Sequence, residues 1–119
     1  MTEAFEGSFS GLPADSPYPG IERRTFDSDQ ATVNRYDFEP GATFPRHRHP
    51  QEQITLVVQG SLDLTVGDRS RSLAAGDYSV LPADVEHGIT AGGSGASFVA
   101  MIVPRRDGPR AYTVVEGAA

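Results

Sequence analysis

The three histidines of the chain stand where they could bind one metal ion. His47 and His49 are two residues apart, so on an extended strand their imidazoles project from the same face. His87 arrives from a segment far along the chain, and the amide oxygen of Gln53 follows a bend at Pro50. Imidazole is the commonest metal ligand among the side chains. Three neutral nitrogens and one neutral oxygen suit one divalent transition metal ion, namely Zn, Fe, Mn, Ni or Co.

The composition excludes several kinds of chemistry and of partner. The chain has no cysteine, which rules out disulfides, thiolate metal sites and a cysteine nucleophile. Its ten basic residues are all arginine, so Schiff-base chemistry through a lysine is excluded. The net charge of −6 argues against a nucleic-acid partner, because binding to phosphates needs a positive face. A composition rich in Gly, Ala, Pro and Asp, with arginine and no lysine, is typical of a GC-rich bacterial genome.

No segment predicts contact with a membrane. No apolar run approaches the roughly 20 residues that cross a bilayer. The first residues, Met-Thr-Glu-Ala-Phe-Glu, lack the basic and apolar regions of a secretory signal. We therefore expect a cytoplasmic protein with a small-molecule substrate and no membrane partner.

Short segments rich in β-branched and aromatic residues, each bounded by turn residues, follow one another from residue 21 onward. Residues 62–66 alternate apolar and polar side chains, as a half-buried strand does. The next residues, 66–69, predict a tight hairpin in which Gly67 supplies a positive φ. No window keeps a 3.6-residue period, so the pattern predicts an all-β sandwich or barrel. The predicted strands are 21–26, 32–38, 43–47, 53–58, 62–66, 78–81, 85–90, 97–103 and 112–115.

The chain divides into an N-terminal arm and one domain. Residues 1–20 are rich in Gly and Pro, so we expect no regular structure in this arm. Residues 21–119 form the barrel domain, in which 92–95 is predicted to be a loop between two strands. Four side chains of the arm could pin it onto the barrel or onto a partner subunit: Phe5, Phe9, Leu12 and Tyr18.

The histidine segments resemble the paired sequence motifs of the cupin superfamily. Seven positions match: Gly41, His47, His49 and Gly60 in the first motif, and Gly76, Pro82 and His87 in the second. The resemblance covers about residues 20–107. It implies a single-domain antiparallel β-barrel of jelly-roll type, a double-stranded β-helix. It also implies a homodimer, in which the arm and the 112–115 strand are plausible elements of exchange.

Gln53 departs from the first motif, which usually has a glutamate ligand at that position. The adjacent Glu52 is a possible carboxylate ligand, but the spacing to Gly60 selects Gln53. A neutral amide leaves the full divalent charge on the metal, which favours Lewis-acid polarisation of a carbonyl or enol and gives less support to a ferric intermediate. The second motif departs at Asp84, in place of a glycine, and at Ala91, in place of an asparagine.

The run His-Arg-His-Pro-Gln-Glu-Gln is similar to a cupin subgroup with three histidines and one glutamine. This subgroup includes enzymes that linearise unsaturated uronates and cyclases of aromatic polyketide biosynthesis. The uronate enzymes carry a catalytic aspartate ahead of a Pro-x-Arg segment. Arg106 fits that segment, but the position of the aspartate falls on Ala100. An apolar wall of Ala100, Met101 and Ile102 instead suits a hydrophobic substrate.

The leading hypothesis is a metal-dependent enzyme that performs redox-neutral chemistry. Its most concrete form is cyclisation, isomerisation or dehydration of a polyketide-like or other oxygenated substrate. Glu52 or a bound water would move the proton, and Tyr36, Met101 and Arg106 would contact the substrate.

The arginines near the C-terminus have two readings. Arg105, Arg106 and Arg110 could bind a substrate carboxylate, or they form a solvated surface partly paired with Asp107.

Two alternatives to the leading function also stay open. One is an Fe- or Mn-dependent cupin dioxygenase, and the other is a non-catalytic cupin that senses a ligand or a metal.

Overall fold

The computed structural model describes residues 3–106 and 113–114. Within these ranges the chain forms an antiparallel sheet, which confirms the predicted all-β fold. The helical structure in them is one 3₁₀ turn, Phe9–Gly11, so none of the described helices could cross a membrane. The strands are β1 (Ala14–Asp15), β2 (Ile21–Asp27), β3 (Thr32–Phe38), β4 (Thr43–Arg48), β5 (Glu52–Val66), β6 (Arg69–Ala74), β7 (Tyr78–Leu81), β8 (His87–Val103) and β9 (Thr113–Val114).

The two longest strands carry the fold, because each takes part in two portions of the sheet. The first half of β5 pairs with the second half of β8; β3 and β7 flank this pair, and β2 and β1 follow beyond β3. The second half of β5 pairs with the first half of β8, and β4 and β6 flank that pair. β9 pairs with β4. The sheet therefore curls into a barrel with an inner and an outer face.

Both long strands bend where they meet at glycine. Gly60 of β5 and Gly95 of β8 have φ values of +73° and +79°. A Cβ atom at Gly60 would collide with the carbonyl oxygen of Gly95. The two backbones therefore come so close that only glycine fits at position 60. Residues 92–95 are thus a bulged part of β8, and their prediction as a loop is wrong. A local glycine run looks like a loop, but pairing with β5 on both sides keeps it in the strand.

Strand alternation determines which side chains enter the barrel. Every second residue of β3, from Thr32 to Phe38, is buried. The neighbouring strands add buried residues at the same register, so rows of side chains cross the inner face. Three of these rows are Thr32, Ile102 and Gln53; Asn34, Ala100 and Thr55; and Arg23, Tyr36 and Phe98. The inner face is therefore partly polar, whereas the sequence led us to expect an apolar wall.

The N-terminal arm lies on its own barrel. β1 pairs with β2, and Arg23 of β2 donates two hydrogen bonds to Asp15 of β1. The rings of Phe5 and Phe9 pack against Phe26, with centroid distances of 6.4 Å and 5.8 Å. The expectation that the arm lacks regular structure is wrong for the 3₁₀ turn and for β1, because the edge of β2 supplies hydrogen-bond partners that the local sequence does not reveal.

Two other predictions can be compared with the structure. The hairpin after β5 is confirmed, since Val66 pairs with Arg69 and Gly67 has a φ of +59°. β6 was not predicted, because its side chains are mostly polar and exposed; pairing with β5 makes it a strand. In the predicted strand 112–115, Thr113–Val114 is a strand, and the two flanking residues lie outside the described ranges.

Candidate metal centre

The fold brings the three histidines together. His47 of β4 is the register partner of His87, the first residue of β8, and their ring centroids are 4.3 Å apart. His49 follows the end of β4, with ring centroids 5.7 Å from His47 and 5.1 Å from His87. Each ring offers one ligand atom, and these three atoms lie within 4.8 Å of one another. All three side chains are buried, so the cluster could hold one metal ion.

One hydrogen bond to a backbone carbonyl orients each of the three rings. A neutral imidazole that donates from Nδ1 leaves the lone pair of Nε2 for a metal ion. In His87 this Nε2 atom is buried and has no hydrogen-bond partner within residues 3–106 and 113–114. The Nδ1 contacts are His47 to Pro45 at 2.7 Å, His49 to Gln51 at 3.0 Å and His87 to Val85 at 2.9 Å.

Gln53 of β5 faces the histidine cluster. This buried residue of β5 places its Oε1 atom 3.1 Å from Nε2 of His49. Its Nε2 atom donates to Oγ1 of Thr55 at 3.1 Å, which holds the amide with its oxygen toward the histidines. When Nδ1 of His49 donates to the carbonyl of Gln51, Nε2 of His49 is an acceptor. It then faces a second acceptor, Oε1 of Gln53, at 3.1 Å. A cation between them removes the mismatch, so the geometry fits a metal ion.

Burial keeps two of the rings neutral. The pKa of His47 is lowered to about 3, chiefly by removal from water, with contributions from the neighbouring rings of His87 and His49 and from the guanidinium of Arg106. Burial also lowers the pKa of His87 to about 4, with a contribution from His49. The hydrogen bonds to Pro45 and Val85 act in the opposite direction. Neutral imidazole is the form that binds a metal, so these two rings are ready to act as ligands.

Two of the expected substrate residues lie on the inner side of the barrel. Tyr36 is buried and stacks on Phe98, with ring centroids 5.1 Å apart. Arg106 is buried as well, and its backbone N–H donates to Oγ1 of Thr32 at 3.0 Å. Its charge acts on His47, which places Arg106 near the histidine cluster.

Glu52 and Met101 are not brought to this cluster. Glu52 precedes the inward-facing Gln53, and strand alternation therefore turns its carboxylate to solvent. Met101 lies between the buried Ala100 and Ile102, so it faces the outer side of the sheet. Neither placement supports the role that the sequence suggested. Of the basic cluster, Arg105 is exposed, and Arg110 and Asp107 lie outside the described residues.

Three polar residues of the inner face were not predicted from the sequence: Arg23, Asn34 and Thr55. They are 3%, 1% and 2% exposed, which is unusual for polar side chains. A period-two reading of β3 would have placed Asn34 on the same face as Tyr36. No comparable local signal marks Arg23, because a charged residue in a strand usually faces water.

Known proteins resemble this chain in sequence and in structure. The family model of the Cupin domain matches residues 34–104. The structure of KdgF from Halomonas sp. is 28% identical, with a TM-score of 0.76, over 82% of this chain and 93% of that chain. An RmlC-like cupin from Shewanella frigidimarina is 23% identical, with a TM-score of 0.79, over 89% of this chain and 95% of that one.

Oxalate decarboxylase from Bacillus subtilis has the same fold in part of a longer chain. One of its variants is 19% identical, with a TM-score of 0.87, over 97% of this chain but 33% of that chain. At this identity the likeness shows the fold alone. The curated proteins contain no significant match to the sequence.

Proposed function

This chain belongs to the cupin family, and on that premise we propose that it is an enzyme in which the three histidines and Gln53 hold one divalent transition metal ion. The observation that carries the proposal is the 3.1 Å contact between Nε2 of His49 and Oε1 of Gln53. When Nδ1 of His49 donates to Gln51, both atoms of this contact are acceptors, and they repel each other unless a positive charge lies beside them. Three oriented rings and one oriented amide supply the four ligands.

The neutral ligand set favours redox-neutral chemistry. A divalent ion held by four uncharged ligands would polarise a carbonyl or enol oxygen as a Lewis acid. We propose that the reaction is a cyclisation, isomerisation or dehydration of a small oxygenated molecule, such as one of polyketide type. The substrate would carry an oxygen atom that can reach the histidine cluster from the inner face.

The protein's own residues would orient the substrate and move the proton. Aromatic rings pack beside the cluster, since the ring centroid of Phe44 lies 4.6 Å from that of His47 and 6.1 Å from that of Tyr36. They would exclude water from that side of the site. Because Glu52 faces solvent, we assign the proton donor to the buried hydroxyl of Tyr36, which interacts with Arg23. Arg106 would add positive charge on the inner side.

A single-metal assay tests this proposal. The protein is stripped with a chelator, reloaded separately with Zn, Mn, Fe, Co or Ni, and incubated with a panel of enolisable oxygenated compounds in air and under nitrogen. We expect a product with the mass of the substrate, or that mass less one water, formed equally fast in both atmospheres. His87→Ala should abolish turnover, and Arg48→Ala, whose exposed side chain lies between two ligands, should keep it.

The other outcomes separate the alternatives. Oxygen uptake in proportion to product would contradict redox-neutral chemistry and support the dioxygenase. Tight binding of a compound or metal without turnover on any loaded form would support a sensor instead.

A further inference from the structure

We propose that Arg23 and Asn34 form an anion subsite on the inner face, which binds a carboxylate of the substrate. This inference rests on the proposed function, because it names the chemical class of substrate that the metal centre would receive. It starts from two buried donor atoms, Nη1 of Arg23 and Nδ2 of Asn34, neither of which has a hydrogen-bond partner among the residues that the structure describes. A buried donor without a partner destabilises the fold, so an acceptor from a ligand is expected.

The two donors lie close together on neighbouring strands. Arg23 of β2 is the register partner of Tyr36, and Thr25 of β2 is the register partner of Asn34. Arg23 and Asn34 are therefore diagonal neighbours on the inner face, within reach of one small group. The hydroxyl of Thr25 donates to Oδ1 of Asn34 at 2.6 Å, which leaves the amide nitrogen as the group available to a ligand.

A cavity adjoins Arg23 and the Thr25 side chain that binds Asn34. It has a volume of about 340 Å³, and its lining includes Arg23, Thr25, Thr32 and Arg106. That volume suits a small organic molecule. Arg106 lines this cavity, and its charge also contributes to the lowered pKa of His47. A ligand held at Arg23 could thus extend toward the histidines.

The charges around the cavity favour an anion. Its two carboxylates already have partners, because Asp15 accepts two hydrogen bonds from Arg23 and Asp27 accepts one from Thr32. Nη1 of Arg23 remains, beside the amide nitrogen of Asn34. The guanidinium of Arg106 adds a second positive charge. Guanidinium and amide N–H groups form their strongest hydrogen bonds with an ionised oxygen, which is the chemistry of a carboxylate.

Binding of simple carboxylates tests the subsite. Acetate and benzoate are titrated into the protein by calorimetry, beside the neutral analogues acetamide and benzamide, in both the metal-free and the zinc-loaded forms. We expect the carboxylates to bind more tightly than the amides. Arg23→Gln and Asn34→Leu should each weaken carboxylate binding by roughly tenfold. Arg24→Gln is the matched control, since Arg24 faces outward and pairs with Glu22.

A second variant distinguishes loss of binding from loss of folding. Asn34→Asp keeps the shape of the side chain but replaces the donor by a carboxylate, so it should repel the anion while circular dichroism stays that of the wild type. Equal affinity for carboxylates and amides, or unchanged binding in both Arg23→Gln and Asn34→Leu, would overturn the proposal. Failure of the metal centre gives a different result, because zinc would then not bind while carboxylates still bind to the metal-free protein.

Discussion

Nε2 of His49 and Oε1 of Gln53 lie 3.1 Å apart, and the other polar atom of each side chain has a partner of its own. The second ring nitrogen of His49 contacts the carbonyl of Gln51, and the amide nitrogen of Gln53 contacts the hydroxyl of Thr55. A neutral His49 has one N–H, which cannot serve both Gln51 and Gln53. The pair therefore defines where a cation would lie, and it links the histidines to the polar row of the inner face.

Removal of a histidine should empty the metal centre. His47→Ala and His87→Ala each delete one buried ligand, so the metal content of purified protein should fall from about one ion per chain to nearly none. Elemental analysis measures this content. Arg48→Ala should leave it unchanged, because that side chain is exposed. Full metal content in both histidine variants would show that the ligand assignment is wrong.

Thr55 should matter to the metal although it does not bind it. Thr55→Val removes the acceptor that holds the amide of Gln53, so the metal affinity should fall by about tenfold. A competition titration with a chromophoric chelator measures the affinity. Thr43→Val is the control, because it also removes a hydroxyl contact, in that case to Thr90 on the exposed side of the barrel. The same loss in both variants would contradict a specific role for Thr55.

The stability of the metal-free protein should depend on pH. Burial lowers the pKa of His47 to about 3 and of His87 to about 4, from an ordinary value of 6.5. Below pH 6.5, these two imidazoles therefore bind protons in the unfolded chain but not in the folded chain. The free energy of unfolding should have its full value above pH 6.5 and should fall as the pH decreases from 6.5 toward 4.

Urea unfolding of chelator-treated protein at pH 7.5, 6.5 and 5.5 measures this dependence. A variant with Gln at both His47 and His87 should show a flatter profile, since neither position then titrates. A free energy of unfolding that rises on acidification over this interval would contradict the prediction.

The close approach at Gly60 should make it much less tolerant of substitution than Gly41. Both residues have a positive φ, of +73° and +74°, which costs any other residue about 1–2 kcal/mol. At Gly60 a Cβ atom would also collide with Gly95, whereas no described residue has an atom within 4 Å of one at Gly41. Gly60→Ala should therefore lower the thermal unfolding temperature well beyond Gly41→Ala. Equal effects in calorimetric unfolding would show that φ alone matters.

The homodimer implied by the cupin resemblance remains a prediction, and the outer face of β5 and β7 is where we expect contact. Leu56, Val58, Tyr78 and Val80 are 42%, 51%, 70% and 52% exposed on these adjacent strands. Tyr78→Asp should convert a dimer into a chain of 12.7 kDa, measured by light scattering. Ser70→Asp, on exposed β6, should leave the dimer intact. A wild-type mass of 12.7 kDa would contradict the prediction.

Much of the fold was predictable because it depends on local patterns. The strand at 32–38 and the turn at Gly67 were predicted from the chain, and both are confirmed. The outward positions of Glu52 and Met101 also follow from alternation, once Gln53 and Ala100 are known to face inward. The continuous strands through Gly60 and through 92–95 were not predictable, since they depend on pairing between β5 and β8.

By itself, the sequence determined the types and spacing of the candidate ligands: three histidines and a glutamine, without any thiolate or lysine. Only the tertiary structure decided that His47 and His87 meet in one strand register, and that Gln53 faces His49 with its amide fixed by Thr55. It also placed Arg23 and Asn34 inside the barrel. The physical reason is that side-chain chemistry is a local property, whereas burial and the choice of hydrogen-bond partner depend on distant strands that the fold brings together.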